Sequence, residues 1–279
     1  MDTVTIYLIT HNRKHLLERA IDSVFKQTYP NVELIIVDDA STDGTELLVA
    51  ELNNKYPFKY IKNASNMGAC YSRNLAIHSA QGKYITGLDD DDYFGETRIQ
   101  DFIDAYQEDY AFICANITEV KDDSKHGIKR YFGLKEGEFT LEQLLHNNLV
   151  GNQVFTSKEK WLEIGGFDPE MPAFQDYDTW VRFLKKYQKA LKINKHNYFL
   201  HTQHGGERIS SSVEKKLSGY QKFMDKHQAA MSTRHNKSMR LLYLKISGIK
   251  VSLWQLIKLM NLSNYKSLIS ILISRLKLT

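Results

Sequence analysis

The 279-residue chain is predicted to be an α/β protein built on a mostly parallel sheet with helices on both faces. Two observations predict this. Short apolar runs alternate with amphipathic stretches through the first third of the sequence, and polar clusters follow immediately after several of the runs. VTIYLIT (4–10) reads as the first strand, followed by a helical stretch over Lys14–Gln27. ELIIVDD (33–39) is the second strand, then come a helix over Gly44–Lys55, the strand FKYIK (58–62), a helix over Met67–Ser79 and the strand KYITGLD (83–89). Residues 117–170 are less regular, with short strand-like pieces and a helix at Leu141–Asn147 after Thr140. Gln175–Lys186 reads as helix, 190–201 as strand, and everything from Ser212 onward as helical and basic.

Ligands of such sheets sit beyond the carboxyl ends of the strands. The polar residues there are Thr10-His11-Asn12-Arg13, Asp38-Asp39 and the run Asp89-Asp90-Asp91-Asp92. Four consecutive aspartates repel one another unless a cation binds among them. A solvated acidic turn opening a helix is the plain alternative. A hard divalent cation such as Mn²⁺ or Mg²⁺ takes oxygen ligands from one or two carboxylates plus substrate phosphates, which suits a nucleotide diphosphate.

The composition, 42% hydrophobic and 25% charged, is that of an ordinary globular protein and excludes wholesale disorder. Cys70 and Cys114 lack metal-ligand spacing and make no disulfide framework, so a reducing, cytoplasmic setting is expected. The N-terminus has no basic region or small-residue cleavage site of a signal peptide, and no run reaches the ~18 apolar residues of a membrane span. The net charge of +4 is unevenly shared. Residues 226–279 hold ten Lys/Arg and no Asp or Glu, leaving 27 basic and 33 acidic residues in 1–225. We therefore expect two differently charged parts, 1–225 and a basic amphipathic helical extension over 226–279.

The segments VTIYLITHNR, ELIIVDDASTDGT, NMGACYSRNLAI, GKYITGLDDDDYF, IGGFD and FQDYDTWVRF occur in this order. Together they resemble the successive motifs of the family 2 inverting glycosyltransferases with the GT-A fold, over about residues 3–210. The resemblance implies that 1–225 is the catalytic part, with a donor half to about 116 and an acceptor half over 117–225. It implies that Thr10, Asn12 and Arg13 lie along the donor nucleotide and that Asp39 accepts the uracil N3–H. It implies Arg73, of the Arg73-Asn74 pair, against uracil or a phosphate. It implies Asp91 as metal ligand with Asp89 or Asp90 nearer the ribose, although four aspartates in a row leave the division of roles open. Asp176 aligns with the base that deprotonates the acceptor hydroxyl, with Gln175 standing where the family usually has an acid. Asp178 and Trp180 on the same stretch are acceptor-side candidates, Trp180 being either a sugar platform or core. In His201-x-x-His204-Gly-Gly-Glu-Arg208, either histidine can complete the metal shell, and Arg208 pairs with the diphosphate.

The resemblance implies a metal-dependent transfer of a hexose or N-acetylhexosamine from a UDP-sugar to a glycan or a lipid-diphosphate-linked acceptor, as in bacterial O-antigen or capsule assembly. The basic tail is expected to touch an anionic membrane, with packing on the catalytic part or on a second subunit of a homo-oligomer as alternatives. No nucleic-acid partner is expected. The rivals are a catalytically silent nucleotide-sugar-binding module, which has little reason to keep both Asp176 and the aspartate run, and a sugar nucleotidyltransferase. The latter would want a glycine-rich basic loop for a triphosphate, and the turn at 11–14 has no glycine.

Overall fold

The computed structural model describes residues 1–120, 129–130, 136–201 and 212–265, together with 268–269 and 271–272. The first half alternates as the sequence predicts. It runs β1 (Val4–Thr10), α1 (Lys14–Phe25), β2 (Val32–Asp38), α2 (Thr45–Asn53), β3 (Lys59–Lys62), α3 (Ala69–Ser79) and β4 (Tyr84–Asp89). After the aspartates come β5 (Tyr93–Phe94), α4 (Arg98–Ala105), β6 (Ile113–Val120), β7 (Lys129–Arg130) and β8 (Gly137–Thr140). The short helix α5 (Leu141–Leu144), β9 (Phe155–Ser157) and α6 (Lys158–Glu163) lead to the long α7 (Gln175–Tyr187) and β10 (Lys189–His201). The chain closes with α8 (Val213–His227), a short 3₁₀ turn, α9 (Thr233–Ser247) and α10 (Leu253–Leu259).

Among the described residues the strands form one sheet in the order β3-β2-β1-β4-β9-β6-β10-β5, with β7 beside β6 and β8 beside β10. The pairs β3/β2, β2/β1 and β1/β4 are parallel, while β9 runs antiparallel to both β4 and β6. The sheet is therefore parallel on the side the sequence predicts and mixed beyond β4. Helices cover both faces. Val4, Ile6 and Leu8 of β1 pack with Leu17, Ile21 and Val24 of α1, and Tyr7 between them faces the opposite core with Ile77, Trp161 and Trp180. That two-sided burial is why the run is apolar throughout rather than alternating.

The chain order turns at β1, whose neighbours are β2 and β4, so the carboxyl ends of these three strands frame one crevice. Register pairs Thr10 with Asp38 and Ile9 with Asp89, which brings the polar ends level with one another.

The charge boundary near residue 225 falls inside α8 and marks no break in the fold. Tyr220 and Phe223 of α8 and Met239 of α9 join the same core as Trp180 and Phe183. Gly219 permits this packing: a Cβ there would stand 2.7 Å from the Ala173 carbonyl oxygen, just before α7. Only α10 and the residues after it form a separate small core, with Leu241 and Leu244 against Leu256, Leu268 and Ile271.

Candidate active site

A cavity of about 1030 Å³ opens at the ends of β1, β2 and β4. Its walls include Thr10, His11, Arg13, Asp39, Gly68, Arg73, all four residues of the aspartate run, Gln175 and Asp176. The convergence expected from strand ends is therefore present in space.

The two poles of the cavity differ in chemistry. At the β2 and α3 side, the Asp39 carboxylate accepts from the backbone N–H groups of Met67 and Gly68 and from Asn63 Nδ2, each at 2.8 Å. Gly68 stands at φ +87° and ψ 158°, a conformation essentially reserved for glycine, and this lets its N–H reach Asp39. Asp38 points the other way, buried, and accepts from Ser41 N–H and the Tyr60 hydroxyl, so its role is to hold the strand end.

The aspartates after β4 separate by environment. Asp90 is buried, accepts from Thr10 Oγ1 at 2.9 Å and pairs with Arg13 Nη1 at 3.0 Å. Burial pushes its carboxyl up to about 7 despite Arg13, with Asp91 adding to the rise. Asp92 is buried as well, raised by burial and by Asp89 and Asp91, and accepts from the Tyr198 hydroxyl and His201 N–H. Asp91 faces the cavity, 3.3 Å from Arg13 Nη1, while its backbone carbonyl accepts from Arg19. Asp89 accepts from Asn152 Nδ2 and Gln153 Nε2 and pairs with Arg73 Nη2 at 3.3 Å.

Hard carboxylate oxygens on a cavity wall are the right donors for Mn²⁺ or Mg²⁺. Among the described residues no three groups of the run converge closely enough to cage an ion alone. The fit is thus to a cation shared with substrate phosphates, with Asp91 as the protein ligand. The trio that does converge is Glu142, His146 and His235, which is not part of this cavity. Ser232 N–H donates to His235 Nδ1, so the ring hydrogen sits on Nε2 and is directed at the Glu142 carbonyl, 3.0 Å away. One nitrogen of that ring caps α9 and the other ties α9 to Glu142 of α5.

Asp176, in the first turn of α7, lines the same cavity. Phe174, immediately before the helix, holds φ +65°, a left-handed conformation costly for a bulky residue. Its ring is clamped by Tyr220 and Phe223 of α8, which keeps the start of α7 at this angle. About a quarter of the Asp176 side chain is exposed, and its Oδ1 has no hydrogen-bond donor, only Arg73 Nη1 at 3.6 Å. Burial pushes its carboxyl up to about 7; Arg73 opposes this and Asp89 adds to it. Burial also works against the charge on Arg73, but Asp176 and Asp89 outweigh it and hold the guanidinium charged, over the Phe167 ring. Arg73 thus spans the two carboxylate poles. Its neighbour Asn74 ties α3 to the IGGFD segment through reciprocal 2.8 Å bonds with Phe167 backbone.

Three expectations need correction. Trp180 is fully buried among Phe112, Trp161 and Phe183, with its Nε1 donating to the Gly151 carbonyl, so it is core and no sugar platform. Asp178 is fully buried too, held by Arg182, Lys226 and His227, and does not face an acceptor. Asp178, two residues from Asp176, points to the opposite side of α7, whereas Trp180 lies one turn further along the helix, inside the core. Asn12 is exposed and outside the cavity walls; its backbone N–H and side chain brace Ser41 and Thr42. His204 and Arg208 lie outside the described residues, whereas His201 ends β10 beside Asp92.

Other wall residues carry no motif in the sequence. Asn147, Asn148 and Asn152 come from the irregular stretch before β9, and Lys215, Lys216, Leu242, Lys245 and Ile246 from α8 and α9. The cluster of amides over 147–153 is the one signal that could have found the first group.

The profile of glycosyl transferase family 2 matches residues 5–159, more than half of the chain. The chain belongs to glycosyl transferase family 2. Within this family it is 36% identical over 269 residues to the putative colanic acid biosynthesis glycosyl transferase WcaA of Escherichia coli, covering 95% of both chains. It is 28% identical to the putative teichuronic acid biosynthesis glycosyltransferase TuaG of Bacillus subtilis, covering 68% of this chain and 75% of that one. The fold is shared with S. aureus TarS 1–349, solved in complex with UDP-GlcNAc, at a TM-score of 0.67 and 19% identity over 96% of this chain and 79% of that one. A mannosyltransferase from Pyrobaculum calidifontis in complex with GDP-Man and Mn²⁺ aligns with a TM-score of 0.60 and 17% identity, over 83% of this chain and 65% of that one. The fold is therefore the GT-A fold of family 2, and the chain is a glycosyltransferase.

Proposed function

We propose that the enzyme is a metal-dependent, inverting transferase that moves a hexose or N-acetylhexosamine from a UDP-sugar to a sugar hydroxyl in bacterial surface-polysaccharide synthesis. The observation that carries this reading is that Asp89–Asp92 and Asp176 line one cavity, with Arg73 between Asp89 and Asp176. UDP-GlcNAc bound to the TarS relative supports a uridine donor, and the names of WcaA and TuaG support the polysaccharide setting.

Asp39 accepts the uracil N3–H, and Asp89 or Asp90 orients the ribose. Arg13, next to Asp90 and Asp91, lies where the diphosphate meets the aspartate run. Mn²⁺ or Mg²⁺ held by Asp91 would neutralise charge on the departing diphosphate. Asp176 takes the proton from the acceptor hydroxyl as its oxygen attacks the anomeric carbon. The bond to the diphosphate oxygen breaks on the opposite face and its electron pair leaves with the UDP. One base on the face away from the leaving group gives inversion. The acceptor is a glycan or a lipid-diphosphate-linked sugar, and the exposed apolar and basic residues of α10 dock the enzyme on an anionic membrane surface.

The decisive assay measures release of nucleotide from a panel of UDP- and GDP-sugars with Mn²⁺ and with chelator. Turnover confined to UDP-sugars and abolished by chelator is expected. Undiminished turnover in chelator would remove the metal from the reading, and turnover of GDP-sugars alone would remove uridine.

A further inference from the structure

The far wall of the cavity is basic and apolar where the donor pole is acidic. Lys215 and Lys216 stand in the first turn of α8, and Lys245 near the end of α9, all three on the cavity wall. Other lysines of α8 are neutralised: Lys222 pairs with Glu170, and Lys226 with Asp168 and Asp178. Lys215, Lys216 and Lys245 have no carboxylate partner among the described residues. An anion entering the cavity from this side meets three ammonium groups with no carboxylate paired to them. Leu242 and Ile246, one turn apart on α9, line the same wall.

The placement says which substrate this wall meets. The helix α8 packs on the start of α7 through Phe174 against Tyr220 and Phe223, and α9 packs on α8 through Tyr220 and Tyr243. The start of α7 carries Asp176, whose partner in the reaction read above is the acceptor hydroxyl. The uracil end assigned to Asp39 is held by Asn63 and the Met67 and Gly68 N–H groups, with no side chain from α8 or α9 among these partners. An anion on the α8 and α9 wall is therefore carried by the acceptor. The wall also leads out to an apolar surface. Ile246 is three residues from Ile249, a reach of at most about 11 Å, and beyond it Leu253, Trp254 and Ile257 are exposed.

We infer that Lys215, Lys216 and Lys245 form a phosphate subsite for the acceptor, holding the diphosphate beside the acceptor sugar while Leu242 and Ile246 take the first part of an apolar chain. The inference rests on the donor and base assignment above and adds the residues that select an anionic acceptor.

The test uses the full chain and the triple variant K215Q/K216Q/K245Q, with farnesyl diphosphate, inorganic pyrophosphate and farnesol as probes. Binding is measured with Mn²⁺ and saturating UDP, so that the donor pole is occupied. Wild type binds farnesyl diphosphate, and the variant binds it about tenfold or more weakly, as expected for removal of several phosphate contacts. UDP affinity should stay within about twofold in the variant, which also reports that it is folded. Pyrophosphate lost in parallel with farnesyl diphosphate supports a site for phosphate from any source. Loss of farnesyl diphosphate alone assigns the site to a lipid-linked one. Farnesol bound equally by both proteins, and as tightly as farnesyl diphosphate, overturns the subsite. So do equal farnesyl diphosphate affinities in the two proteins, no binding by wild type, or a matching fall in UDP affinity. Failure of the donor reading is a separate result: wild type that does not bind UDP.

Discussion

Asp176 holds one carboxylate oxygen in a setting where no N–H or O–H donates to it, and only Arg73, at 3.6 Å, favours its ionised form. A carboxyl in that position keeps its proton to about pH 7, well above ordinary aspartate, which is the range in which a general base works best. The sign follows directly. The base acts when ionised, so kcat/KM for transfer should rise roughly tenfold per pH unit below 7 and level off above it. Asp176→Asn should lower transfer about 10²- to 10⁴-fold while leaving UDP affinity intact. A flat profile between pH 5 and 8, or full transfer by the variant, would assign the proton to another group. Phe174 belongs to the same argument. Its left-handed backbone is imposed by rings from α8, so the angle of the base depends on a helix that follows it by nearly forty residues.

At the scale of elements, α7 works on two faces. One presents Asp176 to the cavity, and the other buries Asp178 against Arg182, Lys226 Nζ at 2.6 Å and His227 Nε2 at 2.9 Å. Burial alone would raise the Asp178 carboxyl, but the His227 hydrogen bond, Arg182 and Lys226 outweigh it and hold it far below the usual range. Asp178→Ala should cost about 1–3 kcal/mol in urea unfolding, because it leaves the buried His227 ring and Arg182 Nε without their acceptor. A depressed carboxyl stabilises the fold above its unfolded value of about 4 and loses that contribution as pH falls further. The gap between wild type and variant should accordingly narrow below about pH 4. An unchanged midpoint at pH 7 would show that the pairs contribute nothing. This buried network also explains a misreading. Asp178 and Trp180 share the QDYDTW stretch with the base, and spacing along a helix does not reveal which face the neighbouring helices cover. The strands β1, β2 and β4 and their terminal aspartates were legible because parallel strands buried on both sides read as unbroken apolar runs. The antiparallel insertion of β9 between β4 and β6 was not, since its three residues have no pattern of their own. Asn152 and Gln153, which hold Asp89, arrive with that insertion.

For the whole molecule, the charge step near residue 225 separates an acidic part from a basic extension in sequence, while in the fold α8 and α9 contribute to the main core and wall the active site. Tyr177, Tyr220 and Met239 are part of one packed body, so the membrane question narrows to what projects from it. No helix among the described residues is long and apolar enough to cross a bilayer. What projects is the surface of α10: Leu253 and Trp254 are 57% and 66% exposed, and Ile257 lies on the same helix, with Lys258 over the Trp254 ring. Leu256 of that helix is fully buried and anchors it to α9. Apolar side chains flanked by cations, on a short helix fixed to the body, are suited to the interface of an anionic bilayer. The variant L253E/W254E/I257E leaves Leu256 and the cavity untouched. It should fall at least about tenfold in co-sedimentation with vesicles containing anionic lipid, since each side chain contributes more than about 1 kcal/mol on insertion. Raising salt should weaken the wild type by screening the lysines, but not abolish binding, because the apolar share is unscreened. Equal pelleting of wild type and variant would exclude α10 as the docking surface. Pelleting that vanishes entirely in salt would reduce the contact to charge alone, and the apolar face of α10 would then need a protein partner instead.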